Sequence, residues 1–350
     1  MAERDAAGNG RGSTLEEVAL AAGVSRATVS RVVNGNPRVA PEVRRAVERA
    51  VDRLGYVPNP AARSLVTRRS QSIALVIGEP AGRLFAEPFF ARLLRGIGAA
   101  LSERDLQLVL LMPQTSEEED RAGRYLSAGH VDGALLASLH GDDPLPGQLA
   151  RRGLPVVVGG RPPRTADVSY VDVDNVAGAR SAVEHLIADG RQAIATITGP
   201  GDMAVSQDRL TGYRQALEAA GRALDPRLEA AGDFGQESGA AAIRDILGAR
   251  PDVDAVFAAS DLMAAGAVQA LRAAGRRMPE DVAVVGYDDS PIATTTDPPL
   301  SSVRQPIEEM GREMTRLLVE VMAAKRPVAK RVLLGTELVV RESSGRVARS

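Results

Sequence analysis

Cysteine is absent from the 350 residues, which removes disulfide frameworks, thiolate zinc sites and cysteine nucleophiles together. A reducing compartment fits such a chain. Lysine occurs only twice, as Lys325 and Lys330, and neither follows a glycine or precedes Ser or Thr, so no phosphate-binding loop of the Walker type can be written. The three histidines (His130, His140, His185) lie far apart without acidic companions at ligand spacing, and no metal site is expected. Long apolar runs of about 18 residues are missing too, so no membrane-spanning helix is written and no membrane partner is expected. Residues 1–11 are polar and lack the apolar middle of a secretory signal, so a cytoplasmic protein is expected. Two partial dinucleotide fingerprints, Gly96-Ile97-Gly98 and Gly199-Pro200-Gly201, each lack part of the pattern and read as structural glycines.

What is present is a chain 44% hydrophobic and 25% charged, long enough for two or three packed units. Its net charge of −2 hides an uneven distribution. Residues 1–70 hold twelve Arg against seven Asp and Glu, so a basic head precedes a mildly acidic body. Within the head, Thr14 and Glu17 stand at the spacing of a capping box, and Leu15, Val18, Ala19 and Ala22 follow with helical periodicity. Gly23 ends that helix, and Ser25 caps a second from Arg26 to Val33, closed by Asn34-Gly35. Pro41 opens a third, on which Val43, Val47, Val51 and Leu54 recur three or four apart. Two short helices around a glycine turn make a helix-turn-helix, whose second helix can enter the major groove of DNA.

The pattern Thr14-Leu15-x-x-Val18-Ala19-x-x-Ala22-Gly23-Val24-Ser25-x-x-Thr28-Val29-Ser30-Arg31-Val32-Val33-Asn34, followed by Gly55-Tyr56-x-Pro58-Asn59-x-x-Ala62-Arg63-x-Leu65, resembles the N-terminal signature of the LacI/GalR (lactose-repressor) family of bacterial transcription regulators. The resemblance implies an N-terminal all-α helix-turn-helix headpiece plus an α/β periplasmic-binding-protein-like sensor of two doubly wound parallel-sheet lobes. The implied parts are a tail at 1–12, a headpiece at 13–58, a hinge helix and linker at 59–71, a sensor at 72–345 and a tail at 346–350. It also implies a homodimer on double-stranded operator DNA at the nucleoid, a small-molecule sugar effector, no cofactor and no catalysis. Thr14, Ser25, Thr28, Ser30, Tyr56, Asn59, Ala62 and Arg63 belong to the matched DNA-binding pattern. Arg31 and Asn34 match positions that touch the operator, and Arg38 faces the same region. Arg26 and Ala27 match the positions that vary with operator sequence. An arginine there can bind guanine bidentately, so a GC-containing half-site is expected. Leu65 matches a leucine that wedges into the minor groove. The hinge, residues 59–67, is too short to be a stable helix in water and should order only on DNA. Ala40 and Val43 depart from the family's hydroxyl residues at the start of the third helix, so a helix cap is missing.

The body alternates apolar runs (Ile73–Ile77, Leu106–Met112, Gly133–Leu136, Pro155–Val158, Ala193–Thr198, Ala255–Ala259, Val282–Val285) with Ala-rich helical stretches, which predicts parallel sheets covered on both faces. The family likeness divides these into one lobe at 72–171 and 305–331 and another at 172–304 and 332–345. Ligands of open α/β sheets sit at the carboxyl ends of strands. Asp288 ends one such run, where a carboxylate can accept two hydrogen bonds from a vicinal diol. Phe89 or Phe90 would supply a flat apolar wall for a sugar ring. Arg209 matches the family's effector-binding arginine, and Gln305 a position that touches both ligand and hinge. Ser260 and Asp261 end the Ala255 run where relatives have Asn-Asp, and Gly160 replaces a frequent aspartate. Arg161 lies in Gly159-Gly160-Arg161-Pro162, which with His140–Pro146 and Ser169–Asn175 resembles actinobacterial sugar regulators, cellobiose-responsive ones included. The alternatives are a purine effector or co-repression on the same fold, an exported sugar-binding protein, which needs an export signal and no basic head, and a nicotinamide-dependent enzyme, which needs a complete glycine fingerprint.

Overall fold

The computed structural model describes residues 13–33, 37–56, 69–162, 166–325 and 328–345. Contacts divide the chain into two units, residues 1–70 and 71–350.

Among the described residues the first unit holds three helices, α1 (Leu15–Ala22), α2 (Arg26–Val33) and α3 (Pro41–Leu54). Their ends are set by local chemistry. Thr14 accepts the Glu17 amide while Glu17 reaches back to the Thr14 amide, so two otherwise unpaired donors are satisfied. Gly23 and Gly55 end α1 and α3 with φ of 67° and 57°, a conformation that costs a residue with a Cβ. Val18, Val29 and Val47 are fully buried between the helices, joined by Ala19, Val32 and Ala50. Val43 stays half-buried outside that cluster, beside Thr28, Arg31 and Arg38. Ala40 caps α3 without a side-chain hydrogen bond. Ala40→Ser is therefore expected to stabilise the headpiece by about 1 kcal/mol, seen as a higher midpoint in melts followed by helical circular dichroism.

The second unit runs β1 (Ser72–Ile77), α4 (Ala81–Ala86), α5 (Pro88–Ser102), β2 (Gln107–Leu111), α6 (Ser116–Ser127), β3 (Gly133–Ala137), α7 (Leu145–Arg151), β4 (Val156–Gly159), β5 (Ser169–Val173), α8 (Asn175–Ala188), β6 (Ile194–Thr198), α9 (Ala204–Ala219), β7 (Glu229–Ala231), α10 (Gln236–Ala249), β8 (Ala255–Ala258), α11 (Asp261–Ala273), β9 (Ala283–Asp288), α12 (Pro291–Thr295), β10 (Ser301–Arg304), α13 (Ile307–Ala323), β11 (Arg331–Leu334) and β12 (Glu337–Val339). Two six-stranded sheets result, in the orders β11-β5-β4-β3-β1-β2 (N-lobe) and β12-β10-β9-β8-β6-β7 (C-lobe). Among the described residues all strand pairings are parallel except β10 with β12. Buried apolar clusters cover both faces of each sheet, as parallel strands require.

The lobe boundaries need correction. Residues 172 and 173 pair in the N-lobe sheet as part of β5, and 331–334 pair with 170–173 as β11, so the crossings fall at about 174 and 335–336 rather than after 171 and 331. The polar Ser169-Tyr170-Val171-Asp172-Val173 alternation and the short last strands gave no continuous apolar run to mark them. Gly96 proves to be a packing glycine: a Cβ there would strike the Glu308 carbonyl where α5 crosses α13. Acidic Glu117–Asp120 open α6 behind the Thr115 cap, favourable to the helix dipole.

Candidate functional site

A cleft of about 920 Å³, its open mouth included, lies between the two sheets at the carboxyl ends of their strands. Asp288 closes β9 and faces it. Gln305, at the end of β10, donates from Nε2 to Asp288 Oδ1 at 2.5 Å, and Arg209 Nη1 stands 3.9 Å from the same oxygen. Arg209 is itself 5% exposed and rigidly held. Its Nε donates to Asn175 Oδ1 at 3.0 Å, its Nη1 to the Ala259 carbonyl at 2.6 Å, and its guanidinium lies 3.7 Å above the Tyr287 ring. Asn175 in turn donates to Asp172 Oδ1 at 3.1 Å. Phe89, Phe234 and Leu139 supply apolar wall beside these polar groups. Carboxylate, amide and guanidinium converging between aromatic faces suit a ligand that is polar at its edges and apolar on its faces.

Burial sets the electrostatics. It raises Asp288 and, more strongly, Asp261 above the usual carboxylate range; the two acids repel, while Arg209 and Gln305 pull Asp288 back. Asp172 is pushed up to about 6 by burial, and Glu87 to about 7 by burial against the nearby Arg83. The lobes also touch through side chains. Arg161 of the N-lobe makes a bidentate pair with Asp208 of α9, at 2.7 and 3.2 Å. His140 bonds Glu79 through Nε2 at 3.0 Å and Asp202 of the C-lobe through Nδ1 at 2.9 Å. Burial disfavours charge on His140, but the two acids outweigh it and its pKa stands above the ordinary imidazole value. Arg83 grips Glu79 and Glu87 and lies 5.2 Å from the Phe234 ring across the cleft.

In the headpiece, α2 buries Val29 and Val32 and turns Arg26, Ala27 and Arg31 to solvent, with Arg38 exposed on the segment that follows. Thr28 and Ser30 are half-buried along its flanks. Arg26 pairs with Glu16 at 3.0 Å in an exposed bridge, weak enough to exchange for another anion.

Residues 14–59 match the model of bacterial regulatory proteins of the lacI family, and residues 183–344 match a periplasmic binding protein-like domain. The HTH-type transcriptional regulator CelR of Thermobifida fusca is 55% identical over 335 residues, 95% of this chain and 98% of that protein. The chain belongs to the LacI family of bacterial regulatory proteins. Among solved structures this regulator is similar to a CelR–cellobiose complex, at 53% identity and TM-score 0.76 over 95% of this chain and 99% of that one. It is also similar to the lac repressor dimer bound to operator and the anti-inducer ONPF, at 27% identity and TM-score 0.85 over 95% and 99% of the two chains.

The regulator's expected effector residues meet four different fates. Asp288, Arg209, Gln305 and Phe89 come together around the cleft. Ser260 and Phe90 reach its wall but are spent elsewhere. The Ser260 hydroxyl donates to the Phe234 carbonyl and accepts the Met263 amide as the cap of α11, and Phe90 is 2% exposed in the N-lobe core. Arg161 reaches the wall already bound to Asp208. Asp261 is the correction: it is fully buried behind the wall, accepting from Ser302 Oγ and the Ser290 amide, so it braces the turn after β9. In the headpiece, the Thr14 and Ser25 hydroxyls cap helices, and Tyr56 packs on the core. Asn34, Asn59, Ala62, Arg63, Leu65 and the whole hinge lie outside the described residues. Sequence reading missed Phe234, Arg83, Glu87, Asn175 and Asp172. Asn175 and Asp172 stand in the Ser169–Asn175 motif, where a polar pair interrupting an apolar strand was the available signal. Among the described residues no helix is long and apolar enough to cross a membrane, and no group of His, Asp and Glu could hold a metal ion.

Proposed function

We propose that this regulator is a repressor that grips a palindromic operator as a homodimer in the cytoplasm and lets go when cellobiose or a related oligosaccharide fills the sensor cleft. The observation that carries the reading is the Asp288 carboxylate, held at the end of β9 by Gln305 and faced by Arg209 between apolar walls. A vicinal diol can donate twice to that carboxylate while an adjacent hydroxyl accepts from arginine. The choice of a β-linked disaccharide is supported by the 55% identity to CelR and the likeness to a CelR–cellobiose complex. In this reading the headpiece is 13–58, the hinge helix and linker 59–71 and the sensor 72–345. Arg26, Ala27, Arg31 and Arg38 meet the operator, and Leu65 on a hinge ordered only by DNA wedges into the minor groove. Ligand acts by population shift, preferring the released state by a few kcal/mol, and no catalytic step is involved.

Calorimetry with cellobiose, maltose, xylobiose and ribose tests the ligand. Cellobiose is expected to bind most tightly, at one site per chain. Silence from every sugar together with binding of a purine would overturn the reading.

A further inference from the structure

The carboxylate that the sugar reading places at the ligand stands on an unusual turn. Asp288 and Asp289 both have positive φ, 111° and 46°, a conformation that L-residues hold only where the surroundings impose it. On the C-lobe side the turn is tied down by the Asp289 carboxylate, which accepts from Arg304 Nε at 2.7 Å and Arg341 Nη2 at 2.6 Å, and by the Asp289 amide, which donates to Ser302 Oγ at 3.0 Å. The other tie comes from the opposite lobe. Arg92, on α5, donates from Nη1 to the carbonyls of Asp288 (3.2 Å) and Asp289 (3.4 Å) and from Nη2 to the carbonyl of Gln305 (3.4 Å). It is half-buried and does not line the cleft. One guanidinium thus gathers the backbone of both residues that shape the Asp288 site, the strained aspartate and the glutamine that bonds it.

We propose that Arg92 is a positioning residue for effector recognition: its guanidinium, delivered by the N-lobe, fixes the backbone of the Asp288–Asp289 turn and of Gln305 so that the Asp288 carboxylate is presented to the ligand. The proposal rests on the reading of the cleft as a sugar site. Its physical logic is that of a fork matched to converging carbonyls, which only arginine supplies. Without the fork the turn is free to relax toward negative φ, and the carboxylate leaves Arg209 and Gln305. The positive charge also lies close enough to favour the ionised form of Asp288. Because the fork spans the lobes, ligand affinity becomes tied to their apposition, and a ligand that needs Asp288 also needs α5 in place.

The wild-type cellobiose isotherm, which tests the sugar reading by itself, is recorded first. With that isotherm in hand, Arg92→Met, which keeps the apolar stem and removes every donor, is expected to weaken cellobiose binding by about tenfold or more. Arg92→Lys, which keeps the charge on a single donor nitrogen, should recover part of the loss, while both variants bind operator without sugar within about twofold of wild type. Cellobiose affinity unchanged in Arg92→Met would overturn the proposal. So would equal losses in the Met and Lys variants accompanied by a matching fall in operator affinity and unfolding midpoint, since that is the mark of packing alone.

Discussion

Asp288→Asn is expected to abolish release of operator by sugar while leaving the grip on DNA intact. The substitution preserves shape but exchanges an ionised acceptor for an amide. A hydrogen bond to a charged group contributes about 1.5–3 kcal/mol, and a bidentate diol would make two, so cellobiose affinity should fall by about a hundredfold. The neighbouring groups magnify the effect. Arg209 is buried and 3.9 Å from Asp288, so removing the carboxylate leaves a guanidinium without its nearest counter-charge. Gln305 Nε2, which donates to Asp288 Oδ1, must find the amide oxygen in the same rotamer. Calorimetry reads the affinity, and a mobility-shift titration without sugar reads the headpiece, which belongs to the other unit of the chain and should be unaffected. A variant that still releases DNA at wild-type sugar concentrations would show that the pocket has been misplaced.

Arg31→Ala carries the second large effect. Arg31 stands exposed in the last turn of α2, on the face opposite Val29 and Val32. It is exposed and stands outside the buried cluster of Val18, Val29 and Val47, so its loss leaves the headpiece core intact. If it meets the operator in both half-sites of a dimer, two interactions disappear together. At about 1–3 kcal/mol each this predicts loss of about two orders of magnitude in affinity or more. Salt separates a phosphate partner from a base partner. Where Arg31 neutralises a phosphate, its removal from both headpieces lowers the slope of log affinity against log salt by about 2; where it reads a base, the slope stays and preference relaxes at one base pair of each half-site. Cellobiose binding to the same variant should match wild type.

The parts of the molecule legible in its sequence are those fixed by neighbours along the chain. The headpiece could be drawn residue by residue because its helix ends depend on hydrogen bonds three residues apart, such as Thr14 with Glu17 and Ser25 with Thr28. Asp288 could be singled out because an apolar strand stops there. The rest of the site is built by pairings that the chain order hides. His140 meets Asp202 across 62 positions, Arg161 meets Asp208 across 47, and Arg92 meets the Asp288 carbonyl across 196. Each is a cross-lobe pair, and no periodicity announces it. Phe234 escaped notice because it sits alone after the three-residue β7, with φ of 70° that no composition signal betrays. Asp261 misled for the opposite reason. Its place at a strand end is right, but a carboxylate one residue into a helix can turn inward, and here it bonds the Ser290 amide and Ser302.

The central claim is that a sugar lodged against Asp288 governs the grip of a headpiece in a separate unit of the chain. The most direct measurement is fluorescence anisotropy of a labelled operator duplex, selected by binding from a random pool, held by wild-type protein and titrated with cellobiose. The account predicts that anisotropy falls to that of free duplex, with a midpoint that tracks the calorimetric affinity, and that Asp288→Asn keeps the duplex bound throughout. Wild-type protein that takes up cellobiose yet holds the duplex undiminished at saturation would contradict it.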